Sequence, residues 1–288
     1  MSGLSLAKRS LKNGLAALGV ELRRIRPPEG STANGRYSNF NEEGIIKGLV
    51  AKLSVKHRFC VDIGAGDGET SSNSCFLYKD GWEGLSVEWD GGRFALMAYR
   101  YSQFKGARLC RAKVTPENVI ELLAGAETPK EFGFLSLDID SYDHFVLERI
   151  LSAYRPNVIC AEINEKIPPP VRFTVKWSPD HGWSYDHFYG QSLSILEDLG
   201  KRHGYALAGL EYNNAFLIPK ESAGIPLLTA EQAYRRGYQD RPDRLQRLPW
   251  NKDMESLLSM APEEKAAFVR THFAKYEGRF LCSAQPIP

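Results

Sequence analysis

The sequence predicts an α/β protein: a seven-stranded, mostly parallel sheet covered by helices on both faces, with an antiparallel last strand and helical extensions at both ends. Three observations predict it. Short apolar runs alternate with helical stretches from residue 59 to residue 203. One such unit, FCVDIGAGDG at 59–68 followed by GLSVEWD at 84–90, reads as strand, glycine loop, helix and acid-tipped strand. The runs at 205–211 and 215–218 are close enough to pair as a hairpin, which turns the final strand round.

Taken in order, residues 4–25 place Leu4, Leu11, Leu15, Leu18, Leu22 and Ile25 at mostly three- to four-residue spacing, the pattern of an amphipathic helix. Lys8, Arg9, Lys12, Arg23, Arg24 and Arg26 against Glu21 make it basic. Such a helix either packs on the domain with its charges in solvent or lies on a membrane surface or partner. Gly14 and Gly19 weaken it as a free-standing helix, and Pro27, Pro28 and Gly30 end it. A polar stretch at 31–41 precedes a helix over Glu42–Leu53. Strands are expected at 59–63, 84–88, 108–112 and 133–138, followed by helices near 70–79, 91–101, 116–124 and 143–153. Thr115-Pro116-Glu117 is an N-cap with proline in the first turn. A fifth strand at 157–162 leads into a long proline-rich loop, then a helix at 190–203 and the hairpin. Beyond Pro219 the chain is charged and poor in β-branched residues, a helical extension. The expected division is 1–39, an amphipathic helix and linker; 40–219, the cofactor-binding domain; and 220–288, the extension.

Bulk properties narrow the function. A chain of 288 residues buries one large core, and its net charge of +2 gives no case for nucleic acid as a partner. The five cysteines show no CxxC pairing, which favours a reducing compartment and hence a cytoplasmic protein, at the inner membrane surface if the basic helix binds there. No apolar run reaches the roughly 18 residues that span a bilayer. The N-terminal stretch lacks a continuous apolar segment and a cleavage site, so secretion is not expected.

The glycine loop decides the cofactor. A dinucleotide fingerprint wants its third glycine at 69, where this chain has Glu69; the spacing here is Gly64-Ala65-Gly66-Asp67-Gly68. Asp67 and Glu69 stand where a pyrophosphate would sit and are expected to repel it. S-adenosylmethionine (SAM), with a sulfonium, an ammonium and a ribose, suits the loop better. Asp62 is placed to reach its amino-acid end, and Glu88 to accept both ribose hydroxyls.

VDIGAGDG at 61–68, DGWEGLSVE at 80–88, KVTPENV at 113–119, FLSLDIDSYD at 134–143 and ICAEINEKIPP at 159–169 together resemble an FkbM-type class I SAM-dependent methyltransferase, over about residues 40–218. The resemblance implies a Rossmann-like sheet with SAM at the carboxyl ends of its first strands. It also implies O-methyl transfer to a sugar or a polyketide-like natural product. Asp62, Gly64, Ala65, Gly66, Asp67, Glu88, Lys113 and Asp138 are the candidate cofactor residues. A homo-oligomer is a candidate assembly. A non-catalytic module keeping this fold and a nucleotide-using enzyme on a similar sheet are the competing readings.

The fourth strand closes on Asp138, Asp140, Asp143 and His144, and the fifth on Glu162 and Asn164, where α/β sheets place chemistry. A sugar hydroxyl needs a base, or a metal that lowers its pKa. His144 is the candidate base, with Asp143 or Asp140 orienting it and Asp138 beside it. Asp138, Glu162 and Asn164 form a candidate site for Mg2+ or Mn2+; metal-dependent O-methyltransferases, which this region resembles, draw carboxylates and an amide from the same two strand ends. The loop at 165–190 carries Trp177, Trp183, Tyr185, His181 and His187 and is expected to face the acceptor. Asp143, Glu162, Asn164, Trp183 and Tyr185 are the candidate acceptor contacts.

Overall fold

The computed structural model describes residues 37–287. The basic helix expected over 4–25 lies outside them. The chain alternates from the first described elements: α1 (Glu42–Lys52), β1 (Phe59–Ile63), α2 (Cys75–Lys79), β2 (Glu83–Glu88), α3 (Gly91–Tyr101), β3 (Ala107–Arg111), α4 (Val119–Gly125), β4 (Glu131–Leu137), α5 (Asp143–Leu151) and β5 (Arg155–Glu162). A short strand β6 (Arg172–Val175), helix α6 (Leu193–Arg202) and the hairpin β7 (Tyr205–Glu211) and β8 (Asn214–Pro219) follow. The C-terminal part holds α7 (Ala230–Tyr234), α8 (Arg244–Arg247), a 3-10 segment over Pro249–Ser259, α9 (Pro262–His272) and β9 (Phe280–Ser283).

Seven strands make one sheet in the order β3-β2-β1-β4-β5-β8-β7. The first five are parallel, and β8 runs antiparallel between β5 and β7. Central β1 sets the register: Val61 lies opposite Leu85 on one side and Leu135 on the other. Period-two alternation divides its residues between the two faces. Val61 and Ile63 join one apolar cluster with Leu85, Leu135 and Ile159, while Cys60 joins the other with Phe134, Val158, Cys160 and Phe216. Burial on both faces is why β1 and β4 read as near-continuous apolar runs. Cys60 and Cys160 are buried there as small hydrophobes.

The structure differs from the sequence reading in three places. The helix expected near 70–79 shrinks to Cys75–Lys79, because side chains hold the preceding residues as turns. Asp67 accepts from the N–H groups of Glu69 and Thr70, and Ser72 from those of Ser74 and Cys75. The helix expected from Pro116 starts at Val119, since Thr115 and Asn118 exchange side-chain bonds with each other's backbone N–H. The long loop and the C-terminal segment share a second, two-stranded sheet of β6 and β9. Behind it, Phe173, Val175 and Phe188 pack with Leu257, Val269 and Phe273 in a third apolar cluster.

Candidate cofactor and acid site

Backbone geometry makes the site before any ligand arrives. Gly64 has φ +87°, and a Cβ there would lie 1.7 Å from the Asp138 carbonyl oxygen, so only glycine lets the β1 loop pass under the end of β4. The N–H groups of Gly64 and Ala65 both donate to the Val87 carbonyl at 3.0 Å, pinning the loop to β2. Glu88 completes the join: its carboxylate accepts from Gly66 N–H at 2.8 Å and Asp90 N–H at 2.7 Å. A carboxylate offers about four lone-pair sites. The bonds to the loop therefore leave Glu88 acceptor capacity toward the cavity it lines.

Asp62 is buried at the end of β1 and accepts from the Ser74 hydroxyl at 2.5 Å. Burial pushes its carboxyl up to about 6, against the lowering effect of the Ser74 and Ser136 hydroxyls. Asp67 behaves differently. It turns inward to cap the Glu69–Thr70 turn and pairs with Arg100 at 2.6 Å, and Arg100 also reaches Glu69 at 3.4 Å. Burial raises the Asp67 carboxyl, but the bonds from Thr70, Arg100 and Glu69 outweigh it and leave the group below its ordinary value. Arg100, shared between Asp67 and Glu69, offsets part of the charge expected to repel phosphate.

Two adjoining cavities open at the carboxyl ends of the strands. The smaller, about 400 Å³, runs along the glycine loop and is lined by Asp62, Asp67, Glu88, Asp138 and Asp140; Arg93 is the basic residue among its lining. The larger, about 450 Å³, has apolar walls from Val87, Trp89, Ala112, Val114 and Ile139 and is closed by His181, Trp183 and Tyr185. Gly64, Trp89, Arg93, Ile139 and Asp140 border both. Trp89 and Arg93, which sequence reading passed over, sit directly after the acid at the end of β2 in the sequence, and that position was the available signal.

Acids gather where β4 and β5 end. Ligand oxygens of Asp138, Asp140 and Glu162 all lie within 4.8 Å of one another. Asp138 and Asp140 are partly exposed to the cavity and Glu162 is buried. Asp140 adopts φ +52°, turning the chain out of β4, and Asp143 holds that turn by accepting from the N–H groups of Ile139 and Ser141. Burial and the neighbouring Asp143 push Asp140 up to about 6, while Arg93 and Lys166 pull the other way. Burial, then the surrounding acids, raises Asp138 and Glu162 as well. Glu162 accepts from Asn213 at 2.9 Å through Oε1, and its buried Oε2 has no partner among the described residues.

Several candidates make bonds of their own within the fold. His144 is buried on α5, 3.3 Å from Gln191 Oε1, and borders neither cavity. Burial drives its imidazole down to about 4, so it stays neutral at working pH. The expected base is thus turned away from the acids, because the helix starts at Asp143 and carries His144 round to the side packed on the loop before α6. Asp143 staples the turn instead of facing an acceptor. Asn164 gives its amide N–H groups to the carbonyls of His187 and Tyr189. Its Oδ1 is buried without a partner among the described residues, and an oxygen of Asp140 converges with those of Asp138 and Glu162. Lys113 borders the larger cavity, but its ammonium is held by the carbonyls of Pro179 and His181. His187 pairs with Asp253 at 2.8 Å.

No protein-family model matches the chain, and no curated protein matches it. Solved structures do align with it. The N-terminal domain of EvdMO1 with S-adenosylhomocysteine bound is 10% identical, covering 74% of this chain and 96% of that one, with a TM-score of 0.43. Magnesium protoporphyrin IX methyltransferase from Synechocystis PCC 6803 with bound SAM is 11% identical, covering 62% and 76%, at 0.40. An S-adenosylmethionine-dependent methyltransferase from Clostridium acetobutylicum ATCC 824 is 9% identical, covering 62% and 90%, at 0.40. The strand order and the antiparallel β8 between β5 and β7 are this chain's own evidence of its fold, a Rossmann-like, mostly parallel seven-stranded sheet.

Proposed function

We propose that the chain is a SAM-dependent O-methyltransferase that methylates a hydroxyl of a sugar, polysaccharide or related natural product. One observation carries the cofactor: Asp62, Glu88, Asp138 and Asp140 line the loop cavity against a single arginine. A pyrophosphate would meet carboxylates on several sides in a small, poorly solvated space. The ammonium and sulfonium of SAM meet complementary charge there. Glu88 is placed to accept from the ribose, and Asp62 from the ammonium.

Methyl transfer to a hydroxyl needs its proton removed as the oxygen attacks the sulfonium carbon. Asp140 borders both cavities, and burial and the neighbouring Asp143 push its carboxyl up to about 6, which makes it a stronger base than an ordinary aspartate. It takes the role first given to His144. The donor set also suits Mg2+ or Mn2+: three hard carboxylates converge, and Glu162 Oε2 is buried without a partner. Bound there, an ion would supply Lewis-acid activation of the hydroxyl. Trp183 and Tyr185, at the rim of the larger cavity, offer ring faces for the CH face of a sugar. Among the described residues no helix is long and apolar enough to cross a membrane.

The test is calorimetric titration with SAM, followed by transfer of labelled methyl to a panel of glycosides. Binding in the micromolar range and label in an ether linkage are expected. A chain that binds no SAM defeats the proposal. Transfer that survives EDTA assigns proton removal to Asp140 alone; transfer lost with EDTA and restored by Mn2+ or Mg2+ assigns the cluster to an ion.

A further inference from the structure

The loop expected to serve the acceptor places a histidine against the cofactor side of the site. His181 lines the larger cavity and is only 4% exposed. Its Nδ1 lies 3.2 Å from Nη2 of Arg279, the residue just ahead of β9. A guanidinium only donates, so Nδ1 accepts and the neutral ring carries its proton on Nε2. Burial, then the charges of Arg279 and Lys113, holds the imidazole below its ordinary value despite Asp186, which keeps it neutral. The Nε2–H donor is buried and has no partner among the described residues. Buried donors without partners are costly and rare.

The cavity that His181 lines suggests a partner for it. Glu88, the ribose acceptor in the proposed function, directly precedes Trp89. A base attached to that ribose falls between the apolar walls that Val87, Trp89, Ala112 and Ile139 give the larger cavity. Adenine presents ring nitrogens that only accept. The C-terminal segment braces the loop on both sides of His181. Lys176 N–H donates to the Arg279 carbonyl at 2.8 Å, and the Asp186 carboxylate accepts from Tyr276 at 2.6 Å and Lys275 at 3.0 Å.

We propose that His181 binds the cofactor's base, donating Nε2–H to an adenine ring nitrogen as the loop seats on bound ligand, and that Arg279 is the positioning residue that fixes the tautomer. The inference rests on the SAM reading and adds a residue to it from outside the glycine-loop unit.

The experiment is calorimetry on the full chain with S-adenosylhomocysteine and its 1-deaza, 3-deaza and 7-deaza analogues. His181→Phe is expected to weaken S-adenosylhomocysteine about tenfold, the scale of one lost hydrogen bond to a buried group. One deaza analogue should bind wild type about as weakly, and His181→Phe should lose nothing further against it. His181→Gln keeps a donor near Nε2 and should recover most of the affinity. Arg279→Ala should weaken binding too, yet add nothing to His181→Phe, which a merely structural arginine would not do. If wild type binds the parent compound while His181→Phe binds it within about twofold, the inference is overturned and the SAM reading stands. If wild type binds none of the four, the SAM reading itself falls, and this inference with it. Should His181→Phe fail to fold, the wild-type series decides alone: three deaza analogues that all bind like the parent overturn the proposal.

Discussion

Glu88 already accepts two backbone N–H bonds, so its removal has two consequences that can be separated. Hydrogen bonds to a charged group contribute about 1.5–3 kcal/mol each. Glu88→Ala should therefore lower the melting temperature by several degrees and weaken SAM at least about tenfold. Glu88→Gln keeps the shape and one acceptor oxygen, so it should recover part of the stability but little of the affinity. A Gln variant that binds SAM like wild type would remove the ribose role. His144 makes the opposite case. Its folded pKa is depressed to about 4 from an ordinary 6.5, so its stabilising contribution is present above pH 6.5 and is lost as pH falls toward 4. The stability gap between wild type and His144→Gln should narrow by roughly 1–3 kcal/mol over that interval in urea melts. Transfer at pH 7.5 should change only a few-fold, whereas a collapse in kcat with stability intact would restore His144 as the base. Which of these two residues lines the cavity was legible only in part. An acid ending the strand after a glycine loop has one available direction. A histidine in the first turn of a helix has a direction set by where that helix begins, which the sequence leaves open by a residue or two.

At the level of elements, the sheet was legible because each strand carries its own signal. β1, β4 and β5 each carry a buried, largely apolar run, and the Asn213 turn makes the antiparallel ending local. The second sheet had no such signal. β6 and β9 are four residues each and pair across more than a hundred positions, so neither the period nor a turn announces them. The acid cluster was partly legible for a related reason. Strand ends locate Asp138 and Glu162, but that Asp140 converges on them depends on a left-handed residue at 140 and the Asp143 staple. The unforeseen pairing gives a prediction. A chain ending at Ser259 loses β9 and α9, and uncovers Phe173, Val175 and Phe188, which the third cluster buries. Burying one such side chain contributes about 1.5–3 kcal/mol. The truncated chain should therefore melt at least about 10 °C lower or be recovered only in aggregates. A soluble truncated chain with an unchanged melting temperature would make the C-terminal part an ornament rather than a brace for the loop.

For the molecule as a whole, the decisive quantity is the charge of the site against that of its ligand. The chain is nearly neutral overall, yet its acids concentrate in one cavity. Desolvation lifts Asp62 and Asp140 to about 6, so below that pH both are largely protonated in the free protein. A bound cation favours their ionised forms. Binding SAM below pH 6 therefore releases a proton, and linkage requires the affinity to rise with pH through about 6. One linked carboxyl gives about a tenfold tightening between pH 5 and pH 7, and two give more. S-adenosylhomocysteine keeps the ammonium but lacks the sulfonium charge, so its affinity should climb less steeply. Asp62→Asn removes one linked group and should flatten the profile for both ligands, while Asp140→Asn should flatten it chiefly for SAM if Asp140 faces the sulfonium side. Calorimetry at pH 5, 6 and 7, in two buffers of different ionisation enthalpy, reads the affinity and the proton count together. A SAM affinity independent of pH, with no proton released, would mean that the carboxylates do not face the ligand's charge, and the cofactor assignment would then lose the observation it stands on.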